Sequence, residues 1–231
     1  MKILALEFSS EQRSVAIIVD GELRARALET GVKECRPIGM LDAALRDSKL
    51  EREEIDCLAI GLGPGSHTGI RSAIALAQGW QLARGTRTVG IRSFECLAAQ
   101  AQAGEIYGMV TVVVDAQRNE FYLAGYEVGP SGFSEVLPPT LAGMEELVVR
   151  ARTGEIFIGP GITKMPATGR VMFPDAEILG CMAARCGVFG SAENLEPVYL
   201  REHRYVKAPP PRVIPGILQS TATDPSGDLK G

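Results

Sequence analysis

MKILALEFSSEQRSVAIIVDGELRARAL, residues 1–28, reads as three strands in succession. Ile3 to Leu6 is a continuous apolar run, and Ser14 to Val19 is a second, rich in β-branched residues. Asp20-Gly21 follows at once as a turn pair. The strict alternation of Leu23-Arg24-Ala25-Arg26-Ala27-Leu28 then predicts an antiparallel strand with one face in water. The chain therefore opens as a three-stranded meander.

Beyond the meander, helices and strands alternate. Pro37 suits a first helical position, and Ile38, Leu41 and Leu45 recur with a helical period. Ile55 to Ile60 is a short buried strand ended by glycines. Ser66 to Ala83 is helical in type, with Thr68 as a fair N-cap and small or apolar residues around nearly the whole circumference. Such a helix must be covered on more than one side. Thr88 to Ile91 is another strand, and Ser93 caps a helix running to about Ala103. A degraded second pass follows: strands at Met109 to Val114, Phe121 to Tyr126 and Gly132 to Val136, a helix at Met144 to Arg150, a strand at Ile156 to Gly159, and a helix at Ala176 to Phe189. The expected organisation is an N-terminal lobe over 1–103, a C-terminal lobe over 104–207 and a disordered Pro-rich tail over 208–231.

A chain of 231 residues with 45% hydrophobic content can bury a real core. Its 24 Lys and Arg against 28 Asp and Glu give a formal net charge of -4 with no block of like charge, which argues against tight RNA binding by this chain alone. Five cysteines without CxxC spacing read as reduced structural thiols. The N-terminal apolar run is too short for a signal peptide, and no apolar stretch has membrane-spanning length, so the expected location is the cytoplasm, with no membrane partner.

A meander followed by alternating helices and strands, passed through twice, is the layout of an α/β actin-like (ribonuclease H-like, ASKHA) fold: two similar lobes, each a mixed sheet flanked by helices. In that fold the turn after the first strand faces nucleotide phosphate. Here the turn is Glu7-Phe8-Ser9-Ser10; its serines could donate to a phosphate, but hairpins commonly use Ser for turn hydrogen bonds, and the residues alone favour that reading. Glu7 could hold a metal-bound water, although one carboxylate alone says little. The glycine-rich Gly61-Leu62-Gly63-Pro64-Gly65-Ser66-His67-Thr68-Gly69-Ile70-Arg71 joins a strand to a helix and could offer N–H groups to an anion. It is not a P-loop, because no Lys follows the glycines; sharp turning and close helix packing explain it as well. Ser9, Ser10, Gly63, Gly65 and Ser66 are therefore the candidate nucleotide or anion contacts, and no metal site is expected. His67 and His203 are too distant to form a metalloprotease cluster, and Asp115-Ala116-Gln117-Arg118 lacks the glycine and hydroxyl of a second phosphate loop. Asp115 and Arg118 are expected to pair or to brace the hairpin rather than to transfer protons.

The glycine-rich stretch resembles the Gly-Pro-Gly-Ser-Phe-Thr-Gly-Leu-Arg signature of the TsaB (YeaZ) family, with His67 for Phe and Ile70 for Leu. Ala77-Gln78-Gly79, Asp115 to Tyr122 (similar to Asp-Ala-Arg-Arg-Asn-Glu-Val-Tyr, with Gln117 at an Arg position) and Glu196-Pro197-Val198-Tyr199-Leu200-Arg201 match in order. Lys33-Glu34-Cys35-Arg36-Pro37 lacks the family's frequent His-Ser. The resemblance spans nearly all of residues 1–201. It implies a non-catalytic subunit of the machinery that places threonylcarbamoyladenosine on tRNA. Such a subunit binds and activates a TsaD-like partner on which a TsaE-like ATPase cycles, forms homodimers when alone, and reaches tRNA only through the complex. No resident cofactor is implied, with ATP or ADP a candidate at the partner junction. It also implies a contact surface on the first-lobe helices, carried by Ile38, Leu41, Leu45, Ile70, Ala73, Ile74, Ala77 and Trp80. Read from the residues alone, the same helices serve equally well as core packing within one lobe. A stand-alone ATPase or small-molecule kinase on the same fold is the alternative.

Overall fold

The three opening strands form as expected: β1 (Lys2–Glu7), β2 (Gln12–Val19) and β3 (Glu22–Thr30) make an antiparallel meander. The computed structural model describes residues 1–31, 36–152, 154–165 and 169–200. The tail, Arg201, His203 and the entry at Lys33 to Cys35 lie outside the described residues. After α1 (Pro37–Ser48), β4 (Cys57–Gly61) joins β1 in parallel; after α2 (His67–Arg84), β5 (Arg87–Ile91) joins β4. The first sheet is therefore mixed, in the order β3-β2-β1-β4-β5. Then α3 (Ser93–Ala103) leads to β6 (Gly108–Asp115), β7 (Glu120–Gly129), β8 (Gly132–Gly143), α4 (Met144–Ala151), β9 (Ile156–Ile158) and α5 (Ala176–Cys186). The second sheet, β8-β7-β6-β9, repeats the scheme of antiparallel meander plus a parallel strand.

Period-two alternation makes the central strands serve two cores. Leu4, Leu6, Leu58 and Ile60 face α1 and α2, while Ile3, Ala5, Cys57 and Ala59 face Leu179 and Ala183 of α5. Gly180 lets α5 lie against Ile18 and Ala5, where a Cβ would collide. The helices are exchanged between the sheets: α5 follows the second sheet in sequence but covers the first. In turn α3 sends Phe94, Leu97, Ala98 and Ala101 onto Val110, Val112 and Ala124 of the second sheet. Met1–Arg201 is accordingly one compact unit.

Details of the ends differ from expectation. The α2 cap is Ser66, whose Oγ accepts the Gly69 N–H at 3.3 Å, rather than Thr68. Arg92, not Ser93, occupies the cap position of α3, because the Ser93 hydroxyl is committed elsewhere. Gly187 (φ 66°) stops α5 at Cys186 instead of Phe189. Among the described residues no helix is long and apolar enough to cross a membrane.

Candidate functional site

β1 ends on Glu7, and the chain turns there into β2. Glu7 is fully enclosed. Its Oε1 accepts the Ser9 N–H at 2.8 Å and its Oε2 accepts the Ser93 O–H at 2.9 Å. Burial pushes the Glu7 carboxyl above its ordinary range, against the hydrogen bonds from Ser9 and Ser93. A Cβ at Gly61 would collide with this carboxyl group, so the glycine that ends β4 is what makes room for it. Glu7 is thus sealed inside the protein and offers nothing to a metal-bound water.

The glycine-rich loop is stitched to this turn. The Ser66 N–H donates to the Ser9 carbonyl at 2.7 Å; the Gly63 N–H donates to Ser93 Oγ at 3.1 Å, and Gly63 accepts the Ser93 N–H at 2.7 Å. Gly65 (φ 153°) runs directly beside the Ser9 carbonyl, a conformation and an approach that no side chain would permit. The Ser10 hydroxyl donates to the Gln12 carbonyl at 2.7 Å. Ser9, Ser10, Gly63, Gly65 and Ser66 therefore do gather in one place. The N–H groups of Ser9, Gly63 and Ser66, however, all go to acceptors of the same chain. Sequence reasoning missed Ser93, the residue that ties Glu7 to Gly63; a serine at the start of a helix reads as a cap instead.

Two motifs lying 128 residues apart meet at the N-terminal end of α2. Val198 N–H donates to the Leu62 carbonyl at 2.9 Å. Arg71 donates from Nε and Nη2 to Tyr199 Oη at 3.2 and 2.9 Å, and His67 stacks edge-on against the Tyr199 ring at 5.3 Å. His67 thus makes an aromatic contact of the kind its Phe counterpart could make.

The expected contact residues need correcting. Leu41, Leu45, Ile70, Ala73, Ile74 and Ala77 are buried in the first core against Leu4, Leu6, Leu58 and Ile60, and Trp80 is half-buried against the same cluster. They are core, not surface; of the set, only Ile38 is well exposed, at 61%. The physical reason is the helical period: positions 70, 73, 74 and 77 form one stripe, and a single stripe faces one way. The outward stripe of α2 is Arg71, Ala75, Gly79, Leu82 and Ala83, with Leu82 90% exposed. Because the helix is small or apolar on all sides, its sequence does not say which stripe is which.

In the second sheet the corresponding hairpin runs from Asp115 to Glu120. Asp115 Oδ1 accepts the Gln117 N–H at 3.0 Å, and Oδ2 pairs with Lys164. Gln117, Arg118 and Asn119 are all left-handed, at φ 64°, 57° and 61°. Asp115 braces the hairpin as expected, with Lys164 as its ionic partner in place of Arg118. Among the described residues no group of three His, Cys, Asp or Glu side chains could hold a metal.

The family model described as TsaD, tRNA N6-adenosine threonylcarbamoyltransferase, matches residues 36–189. The tRNA threonylcarbamoyladenosine biosynthesis protein TsaB of Escherichia coli is 30% identical over 227 residues, covering 88% of this chain and 96% of that protein. TsaB of Bacillus subtilis is 24% identical, covering 69% of this chain and 71% of its own length. Among solved structures, YeaZ from Pseudomonas aeruginosa superposes with a TM-score of 0.73 at 26% identity, covering 86% of this chain and 99% of that one.

Proposed function

The chain belongs to the TsaB (YeaZ) family, and from that premise we propose that it acts in tRNA threonylcarbamoyladenosine biosynthesis as a non-catalytic subunit that binds and activates a TsaD-like threonylcarbamoyltransferase. One observation carries the non-catalytic reading. The N–H groups of Ser9, Gly63 and Ser66 are spent within the chain, and the enclosed Glu7 carboxyl fills the space between them and Ser93. A phosphate arriving there would meet a carboxyl group and no unspent donor among these three amides. Any ATP or ADP of the complex then sits at the junction with the partner, and a TsaE-like ATPase cycles on the pair.

The docking surface in this reading is the outward stripe of α2, supplemented by Ile38 on α1. Ala75, Gly79 and Ala83 allow close approach of a partner helix, and Leu82 is the apolar anchor. Alone, two copies pair through the same stripe. Transfer RNA reaches the complex through the partner, in keeping with the net charge of -4.

The test is reconstitution with the TsaD-like and TsaE-like proteins of the same source, read as complex formation by light scattering and as modified adenosine in a tRNA transcript. Modification requires all components, and this chain alone turns over no nucleotide. Leu82→Asp loses association yet keeps the native circular dichroism spectrum; Ala77→Glu unfolds the protein, at a cost of about 3–5 kcal/mol for an uncompensated buried charge. Persistent association of Leu82→Asp overturns the surface. Nucleotide turnover by the isolated chain overturns the subunit reading in favour of a stand-alone ATPase or kinase.

A further inference from the structure

The first core holds α2 over only part of its length. The buried residues of the helix, Gly69, Ile70, Ala73, Ile74 and Ala77, all precede Gln78, and none of residues 78–84 is buried. Leu82 and Ala83, the apolar end of the outward stripe, belong to that second part. A helix end without a buried stripe frays unless something else fixes it.

The chain after α5 does so. That strap is fastened to the first sheet independently of α2: Gly190 exchanges backbone hydrogen bonds with Thr88 on the β5 edge, at 2.7 and 3.0 Å, and the Val198 N–H reaches the Leu62 carbonyl at 2.9 Å. Between these points a short 3₁₀ turn, Ala192–Asn194, sets Ala192 fully inside the first core, with Leu195 packed beside it. Gln81 Oε1 accepts both the Ala192 N–H at 2.7 Å and the Ser191 O–H at 3.0 Å, and Gln78 Nε2 donates to the Ala192 carbonyl at 3.4 Å. A backbone N–H can only donate, so the Gln81 amide must turn its oxygen to the strap. Trp80 and Gln81 flank the line that the buried stripe would follow past Ala77, one as an apolar tie and the other as a polar one. Apolar contact has no preferred direction, and the Arg84–Glu53 pair at 3.0 Å is exposed and weak. Two hydrogen bonds converging on one oxygen are what set the direction of this helix end.

We propose that Gln81 is a positioning residue for partner binding: it ties the last turns of α2 to the Ser191–Leu195 strap and so fixes how Leu82 and Ala83 face a partner. This rests on the outward stripe of α2 being the docking surface.

The experiment uses the full chain with two substitutions at one position. Gln81→Leu fills a similar space without an acceptor, whereas Gln81→Glu keeps a carboxyl oxygen for both hydrogen bonds. In the dilute isolated chain, Gln81→Leu raises the amide exchange rates of Leu82, Ala83 and Arg84 about tenfold and leaves those of residues 73–77 unchanged; its affinity for the TsaD-like partner falls about tenfold. Gln81→Glu keeps native exchange and native affinity. Helix propensity does not account for this pattern, since Leu is at least as good a helix former as Gln. Should Gln81→Leu not fold, Ser191→Ala, which removes one of the two hydrogen bonds and leaves α2 untouched, gives the same pattern at smaller size. The proposal is overturned if exchange at residues 82–84 stays native in the folded variant, if Gln81→Glu behaves as Gln81→Leu does, or if exchange rises while affinity stays native. Leu82→Asp, measured alongside, separates this role from the surface itself. If Leu82→Asp loses association and Gln81→Leu does not, the positioning role falls and the surface stands; if neither loses association, the surface falls and the positioning role falls with it.

Discussion

The two hairpin turns, one in each sheet, use the same device in opposite surroundings. Glu7 is the last residue of β1 and Asp115 the last of β6; each is an acid, and each accepts the N–H of the residue two places on, at 2.8 and 3.0 Å. The second oxygen marks the difference. That of Glu7 takes a neutral hydroxyl from Ser93 in a fully enclosed site, whereas that of Asp115 takes the Lys164 ammonium at the surface. A repeated local motif has been sealed beside one sheet and left open beside the other. Sealing replaces ionic pairing with neutral hydrogen bonding, because a low-dielectric site penalises the charged form of an acid.

Removing the two acids is the strongest way to break that comparison. Glu7→Ala leaves the Ser9 N–H and the Ser93 O–H without their acceptor in the interior, and we expect a loss of about 2–4 kcal/mol in urea unfolding. Asp115→Ala, at an exposed turn, costs about 0.5–1 kcal/mol. Equal losses would mean that the two turns are equivalent after all.

The pH dependence sharpens the same contrast. The folded-state pKa of Glu7 lies above the ordinary 4.5, so the native chain holds that proton more tightly than the unfolded chain does. Its contribution to stability is fully present below 4.5 and is lost as pH rises through the raised folded value. Glu7→Gln keeps the shape and removes the titration. The urea midpoint of the native chain should therefore fall relative to that of Glu7→Gln as pH rises from 4.5. Parallel curves would show that Glu7 titrates normally.

The smallest effect tests the open turn. Left-handed residues other than glycine are costly, and Asn119 is one of three in succession. Asn119→Gly should stabilise the chain by about 0.5–1 kcal/mol, raising the thermal midpoint by a few degrees. A loss would show that the Asn119 side chain itself supports the turn.

Much of the fold was legible locally. The apolar runs and the alternation at Leu23 to Leu28 located the meander, and Pro37 marked the start of α1, because strand and helix periods are written in consecutive residues. The site was legible only in part. Ser9, Ser10, Gly63, Gly65 and Ser66 stand in two stretches that the fold does bring together, since their glycines are needed where backbone runs against backbone. What they do there was not legible: Ser93, 86 residues from Glu7, carries no sign of its partner in its own neighbourhood.

By itself the sequence determined the elements, their order, their repetition in two passes and the family to which the chain belongs. Only the tertiary structure decided which stripe of α2 is core, which sheet α3 and α5 each cover, and that the Glu7 carboxyl is enclosed between Ser9 and Ser93. The reason is the range of the forces involved. Backbone periodicity and turn preference act over a few residues, whereas burial and hydrogen-bond partnership depend on which distant segment arrives, and that is settled when the sheets and helices pack.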